Sequence, residues 1–141
     1  MKRSASAVWQ GDLKGGKGEV SSDSGVLKHT QYSFSTRFEN GVGTNPEELI
    51  AAAHAACFAM ALSAQLGAAG ITPQRIDASA TVTLEKLDSG WTLTDSHLEV
   101  KAKIPGADRA AFDKAANDAK AGCPISKLLK ANITMNASLE A

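Results

Sequence analysis

The chain has 141 residues, of which 43% are apolar and 21% charged, and its 15 basic and 15 acidic side chains cancel. This length suits one domain, or one protomer of an intertwined oligomer, of ordinary globular composition. Zero formal net charge removes the electrostatic case for nucleic acid or an anionic membrane as partner, and two cysteines are too few for a disulfide scaffold.

Met1-Lys2-Arg3-Ser4 opens like a secretion signal, but residues 4–18 are polar and glycine-rich where an apolar stretch would have to follow. No apolar run reaches the roughly 18 residues of a membrane span. The expectation is a cytoplasmic protein with neither a membrane nor a nucleic-acid partner. Residues 1–43 read as an antiparallel meander. Ala5, Ala7 and Trp9 recur at strand period, and Gly11-Asp12 and Gly15-Gly16-Lys17-Gly18 are turn signals. Glu19-Val20-Ser21 is a short strand, Asp23-Ser24-Gly25 a turn, and Val26-Leu27 the start of another piece. Tyr32, Phe34, Thr36 and Phe38 then alternate with Arg37 on the opposite face, which predicts a further strand over 32–38. Asn40-Gly41-Val42-Gly43 is a loop.

Residues 44–70 hold the central helix. Asn45 precedes a proline and is biased away from helical dihedrals, so its side chain can cap the first turn. Pro46 suits the first helical position, and Glu47 and Glu48 favour the positive end of the helix dipole. Asn45 with Glu48 spells a capping box. Alanine dominates as far as Gly67, predicting a helix from Pro46 to Leu66 or slightly beyond, with stop signals at Gly67, Gly70 and Pro73. Residues 74–105 alternate as a hairpin, with Ile76, Ala78, Ala80, Val82, Leu84 and Lys86 of one parity, a tight turn at Asp88-Ser89-Gly90, and Leu98, Val100 and Ala102 on one face of the return strand. Over 108–130, Asp108 caps a helix whose stripe is Phe112, Ala115, Ala116 and Ala119, and Gly122-Cys123-Pro124 breaks it to begin a short third helix. Residues 131–139 close the chain as a strand with Ile133, Met135, Ala137 and Leu139 on one face. Strands, long helix, hairpin, helices, strand is an α+β order in a single domain spanning 1–141.

The candidate chemistry centres on sulfur. His54 and Cys57 share a helix face, but a structural zinc site needs four ligands, and only Cys123, His29 and His97 remain to complete one without a second short-spaced pair. No metal is therefore expected, and His54 is read as a helix-surface or packed histidine. Walker, dinucleotide and Gly-x-Ser-x-Gly patterns are absent from the sequence. The ordinary reading of two cysteines is two small buried hydrophobes. A nucleophilic cysteine instead needs positive charge or a helix N-terminus to ionise near neutral pH. Cys123 has the start of the third helix. Cys57 sits mid-helix and would need an imported cation, for which Arg37 is the candidate, although on residue types alone Arg37 reads as an exposed strand arginine.

Gly43 to Ile50 running into Ala52-Ala53-His54-Ala55-Ala56-Cys57-Phe58, together with Ala119-Lys120-Ala121-Gly122-Cys123-Pro124-Ile125-Ser126, closely resembles the signature of the OsmC/Ohr family of organic hydroperoxide peroxidases. Trp9-Gln10-Gly11-Asp12 and the 16–27 segment also match, so the resemblance covers nearly the whole chain. It is nearer to the osmotically inducible branch than to the Ohr branch. The resemblance implies that Cys57 attacks the peroxide and becomes a sulfenic acid, and that Cys123 resolves it to a Cys57–Cys123 disulfide. It implies that Arg37 stabilises the Cys57 thiolate and Glu47 orients Arg37. Glu48 is adjacent but already has a capping role, and Lys17 occupies the region where the Ohr branch carries its catalytic arginine. The resemblance further implies an external dithiol reductant of lipoyl type, no bound cofactor, a role in oxidative or osmotic stress defence, and an intertwined homodimer whose antiparallel sheets wrap the central helices. A low-pKa Cys123 would also be a good leaving group on reduction.

Helix spacing bears on the dimer. Glu47 and Cys57 are ten residues apart, roughly 15 Å along a helix and about 80° around it, so Glu47 cannot serve the Cys57 of its own helix directly. An antiparallel helix of a second protomer could supply it, and the small residues Ala52, Ala53, Ala55, Ala56 and Ala59 permit close approach. The apolar neighbours Phe58 and Met60 are candidates for a pocket favouring alkyl hydroperoxides, and equally for core. The competing function is a ligand-binding or thiol-sensing protein that keeps the fold without turnover.

Overall fold

The computed structural model describes residues 1–141. It comprises two compact units, Met1–Leu49 and Ile50–Ala141.

The first unit is built on an antiparallel three-stranded sheet, β1 (Ala5–Gln10), β2 (Lys17–Ser22) and β3 (Thr30–Tyr32), in the order β1-β2-β3. Gly18 pairs with both Trp9 and Tyr32 across the sheet. A side chain there would run into both rings, whose centroids lie 5.6 Å apart. The predicted strand over 32–38 ends at Tyr32. Residues Phe34–Phe38 form a short helix, α1, instead. Ser33 starts it with a reciprocal capping box: the Thr36 amide donates to Ser33 Oγ at 3.2 Å, and the Ser33 amide to Thr36 Oγ1 at 2.8 Å. Phe34 and Phe38, one helical turn apart, stack at 4.9 Å. Spacings of two and four coincide in this segment, and the serine-threonine box decides between them.

The long helix α2 (Pro46–Ala68) starts within the first unit and continues into the second. Asn45 caps it as expected, accepting from the Glu48 amide at 2.8 Å and donating through Nδ2 to the Thr36 carbonyl at 2.9 Å. The Glu48 carboxylate does not close the box; it accepts from Thr44 Oγ1 at 2.8 Å. At the other end the helix runs through Gly67 and stops at Gly70, whose φ of 75° suits glycine. The Ile71 amide reaches the Leu66 carbonyl and the Gly70 amide the Gly67 carbonyl, a Schellman end. Although no membrane-length run was expected, α2 is long and apolar enough to cross a membrane by length and composition. Its alanines and leucines reach that total around interspersed polar residues. In this structure Phe58, Leu62 and Leu66 are buried in the core of the second unit.

The second unit contains β4 (Arg75–Leu87), β5 (Gly90–Lys103), α3 (Arg109–Gly122), α4 (Pro124–Leu128) and β6 (Asn132–Glu140). β4 and β5 form the predicted hairpin, with a bulge between Thr83 and Leu84 that skips Thr94 on the partner strand. β6 joins the opposite edge of β5 in parallel, from Asp95↔Asn132 to Lys103↔Glu140. Parallel pairing is possible because α3 and α4 provide the crossover that a hairpin lacks. Leu98, Val100, Ala102, Phe112, Ala115, Ala116 and Ala119 are all buried, on the sheet face and helix stripe read from their periodicities. Asp108 caps α3, accepting from the Ala111 amide at 3.1 Å. The architecture is α+β with two small sheets and a long helix.

Candidate active site

Pro124 determines where Cys123 lies. The residue before proline is disfavoured in the α region, and Cys123 accordingly has φ −56° and ψ 128°. It ends α3 by donating its amide to the Ala119 carbonyl at 2.9 Å, and its own carbonyl accepts from the Lys127 amide at 3.1 Å as α4 begins. The backbone is thus held on both sides, and the side chain is completely buried. Cys57, partly buried on α2, meets it: the two Sγ atoms hydrogen-bond at 2.8 Å and both thiols are free. A modest approach would bring them to the roughly 2.05 Å of a disulfide.

The pair is electrostatically unequal. Burial pushes the Cys57 thiol up, as does its hydrogen bond to Cys123, and the Ile125 amide only partly offsets them. Burial also pushes Cys123 up. There, hydrogen bonds from Cys57, from the Ser126 amide and hydroxyl, and from the Ile125 amide outweigh it and hold the thiol below its ordinary value. Within this unit the surroundings therefore favour the charged form of Cys123 over that of Cys57. The cap position of Cys123 anticipates that asymmetry.

His54, one turn before Cys57, is fully buried. Its Nδ1 lies 2.7 Å from Ser96 Oγ and its Nε2 2.8 Å from Ser126 Oγ. Both ring nitrogens are therefore occupied by hydroxyls rather than available to a metal. Burial lowers the His54 pKa, which keeps the ring neutral near pH 7. Ser96 and Ser126 were not among the sequence candidates; the only available signal was the serine three residues after Cys123, and Ser96 lies 42 residues from His54.

The other predicted pair lies in the first unit. Arg37, in α1 rather than a strand, donates through Nε to Glu47 Oε1 at 2.7 Å. This is one hydrogen bond, not the two-point fork that an arginine and a carboxylate can form. Glu47 Oε2 is buried without a partner. The Arg37 guanidinium also stands 5.5 Å from the Phe38 ring centroid. Beside it is an apolar cavity of about 260 Å³, lined by Trp9, Leu13, Tyr32, Phe34 and Phe38 among others. Phe58 and Met60 do not form a pocket together: Phe58 is sealed in the core, and Met60 is 76% exposed. They are two helix positions apart, which puts them on different faces. Lys17 is exposed at the start of β2.

The family profile described as OsmC-like protein matches residues 38–138. The chain is 52% identical over 140 residues to the peroxiredoxin OsmC of Escherichia coli (strain K12), covering 99% of this chain and 98% of that protein. It is 31% identical over 129 residues to the organic hydroperoxide resistance protein OhrB of Bacillus subtilis (strain 168), covering 90% and 93%. An organic hydroperoxide resistance protein from Elizabethkingia anophelis, solved with crystallant-derived thiocyanate bound, superposes with a TM-score of 0.72 at 26% identity, over 99% of this chain and 97% of that one. Matched by the profile over most of its length, and by a half-identical relative over nearly all of it, the chain belongs to the OsmC-like family.

Proposed function

We propose that the protein is a thiol-dependent peroxidase that reduces organic hydroperoxides in oxidative and osmotic stress defence. The observation that carries this reading is the 2.8 Å contact between two free, sheltered cysteine sulfurs in a chain half identical to a peroxiredoxin. The Cys57 thiolate attacks the terminal peroxide oxygen, the O–O bond breaks, and the alcohol leaves after taking up a proton. Cys57 is then a sulfenic acid. The Cys123 thiolate attacks that sulfur and expels hydroxide, which leaves as water, forming the Cys57–Cys123 disulfide. An external dithiol of lipoyl type exchanges with the disulfide and restores both thiols. No bound cofactor enters the cycle. A cytoplasmic location suits it, because the resting thiols must stay reduced.

The raised pKa of Cys57 within its own unit calls for a cation at the moment of attack. The Arg37–Glu47 pair supplies it in a homodimer, where the pair of one chain faces Cys57 of the other. The buried, unpartnered Glu47 Oε2 supports a site completed by further groups. The aromatic cavity beside Arg37 suits the alkyl part of an organic hydroperoxide.

Turnover with cumene hydroperoxide and dihydrolipoamide tests the proposal. Cys57→Ser is expected to abolish peroxide consumption. Cys123→Ser is expected to react once and then stall, and mass spectrometry after one equivalent of peroxide should show a Cys57–Cys123 disulfide in the unaltered protein only. Stoichiometric oxidation without turnover would mark a thiol sensor instead. First-step reactivity in Cys57→Ser but not in Cys123→Ser would reverse the roles.

A further inference from the structure

The peroxide cycle uses the two sulfurs and the Arg37–Glu47 pair, and it leaves unexplained a fully buried imidazole with both nitrogens hydrogen-bonded. His54 is flanked by Ser96 Oγ at 2.7 Å and Ser126 Oγ at 2.8 Å, and all three side chains are buried. Ser126 follows Cys123 by three residues in the first turn of α4, near enough for its amide and hydroxyl to favour the charged form of the Cys123 sulfur. A line of hydrogen-bonded polar groups therefore runs from Ser96 on β5 through His54 on α2 to Ser126 on α4, three residues after Cys123.

A neutral imidazole has one N–H and one acceptor nitrogen, and a serine hydroxyl has one hydrogen, so the line can point in only two directions. If the proton is on Nδ1, Ser126 must spend its hydrogen on Nε2 and has none for the sulfur. If the proton is on Nε2, Ser96 donates to Nδ1, Nε2–H donates to Ser126 Oγ, and the Ser126 hydrogen is released toward Cys123. A charge-assisted hydrogen bond to a thiolate is stronger than one between neutral groups, so the second direction is favoured whenever Cys123 is ionised.

We propose that Ser126 and His54 are positioning residues, the His54 imidazole with its proton on Nε2 holding the Ser126 hydroxyl as a donor to the Cys123 sulfur. Ser96 sets the tautomer from the far side. Cys123 is then the sulfur that carries negative charge when it attacks the sulfenic acid. It carries that charge again when a reductant thiolate bonds to Cys57 Sγ, the S–S bond breaks and its electron pair departs on Cys123. Low leaving-group pKa accelerates that exchange. Cys57 and His54, both on α2, are the titratable groups hydrogen-bonded into this line.

The role in turnover rests on the peroxidase reading, but the hydrogen-bond direction does not, so the test measures the direction first. In a Cys57→Ser background, the ultraviolet absorbance of the thiolate follows Cys123 alone. Ser126→Ala is expected to move its titration up by about one pH unit, a tenfold change in ionisation constant, and Ser126→Thr to return it. With both cysteines present, opening of the disulfide by dithiothreitol should be several-fold slower in Ser126→Ala. In the unaltered protein at a pH where Cys123 is ionised, nitrogen chemical shifts should place the His54 proton on Nε2. A Cys123 titration unmoved by Ser126→Ala in a chain with native circular dichroism overturns the inference. A His54 proton on Nδ1 overturns it too, and that measurement decides the matter even if Ser126→Ala does not fold. A protein that consumed no hydroperoxide but gave the expected titration and tautomer would overturn the peroxidase reading and leave this one standing.

Discussion

His54 shows how a single side chain links stability to pH. Burial lowers its pKa in the folded chain from the ordinary 6.5. The unfolded chain therefore binds the proton more readily. The sign follows: the neutral ring's contribution is complete above about pH 6.5 and is lost as pH falls toward the lower folded value. One proton limits the slope to about 1.4 kcal/mol per pH unit. The urea midpoint of the unaltered protein is expected to fall between about pH 7 and pH 5 more steeply than that of His54→Gln, since glutamine offers a donor and an acceptor but does not titrate. Equal slopes would assign the acid sensitivity to other groups.

At the scale of elements, the start of α2 depends on one side chain used twice. Asn45 Oδ1 caps the helix and its Nδ2 holds the Thr36 carbonyl of α1. Asn45→Ala removes both contacts and is expected to cost about 1–2 kcal/mol in urea denaturation. Asn45→Asp keeps the cap and should cost less, and an Asp variant as damaged as Ala would mean that the Thr36 contact dominates. This helix start was legible because cap, proline and acidic first turn agree, and so were the hairpin and the α3 stripe, whose periods match their faces. The 32–38 segment was not: its aromatic spacing fits either period, and the deciding Ser33–Thr36 box is a local polar contact rather than a hydrophobic pattern. Within the site, Cys57, Cys123, Arg37 and Glu47 were identifiable from their motifs. That Cys57 pairs with Cys123, and Arg37 with Glu47, was implied by the family resemblance and by no local pattern, since Cys57 and Cys123 are 66 residues apart. The His54 line was hidden for the same reason, with two serines contributed by distant elements.

For the whole molecule, α2 belongs to both units, and its surface is the reason to expect a second chain. Ala52, Ala53, Ala56 and Met60 are exposed on α2, and in the first unit Val8 is 58% exposed. Small side chains allow close helix approach, and leaving such apolar surface in water forgoes roughly 25 cal/mol per Å². Glu47 and Cys57 remain about 15 Å apart along α2, whichever face the helix presents. A dimer that supplies Glu47 across its interface resolves both facts, and it predicts complementation. Cys57→Ser and Glu47→Ala chains should each form inactive homodimers. In the mixed dimer, one site lacks both residues, while the other joins the intact Cys57 of one chain to the intact Glu47 of its partner. Purified mixed dimers carrying two different affinity tags should therefore recover about half the specific activity of the unaltered dimer, the fraction set by one intact site of two. A mixed dimer as inactive as its parents would place Glu47 beside the Cys57 of its own chain, or make the two sites interdependent.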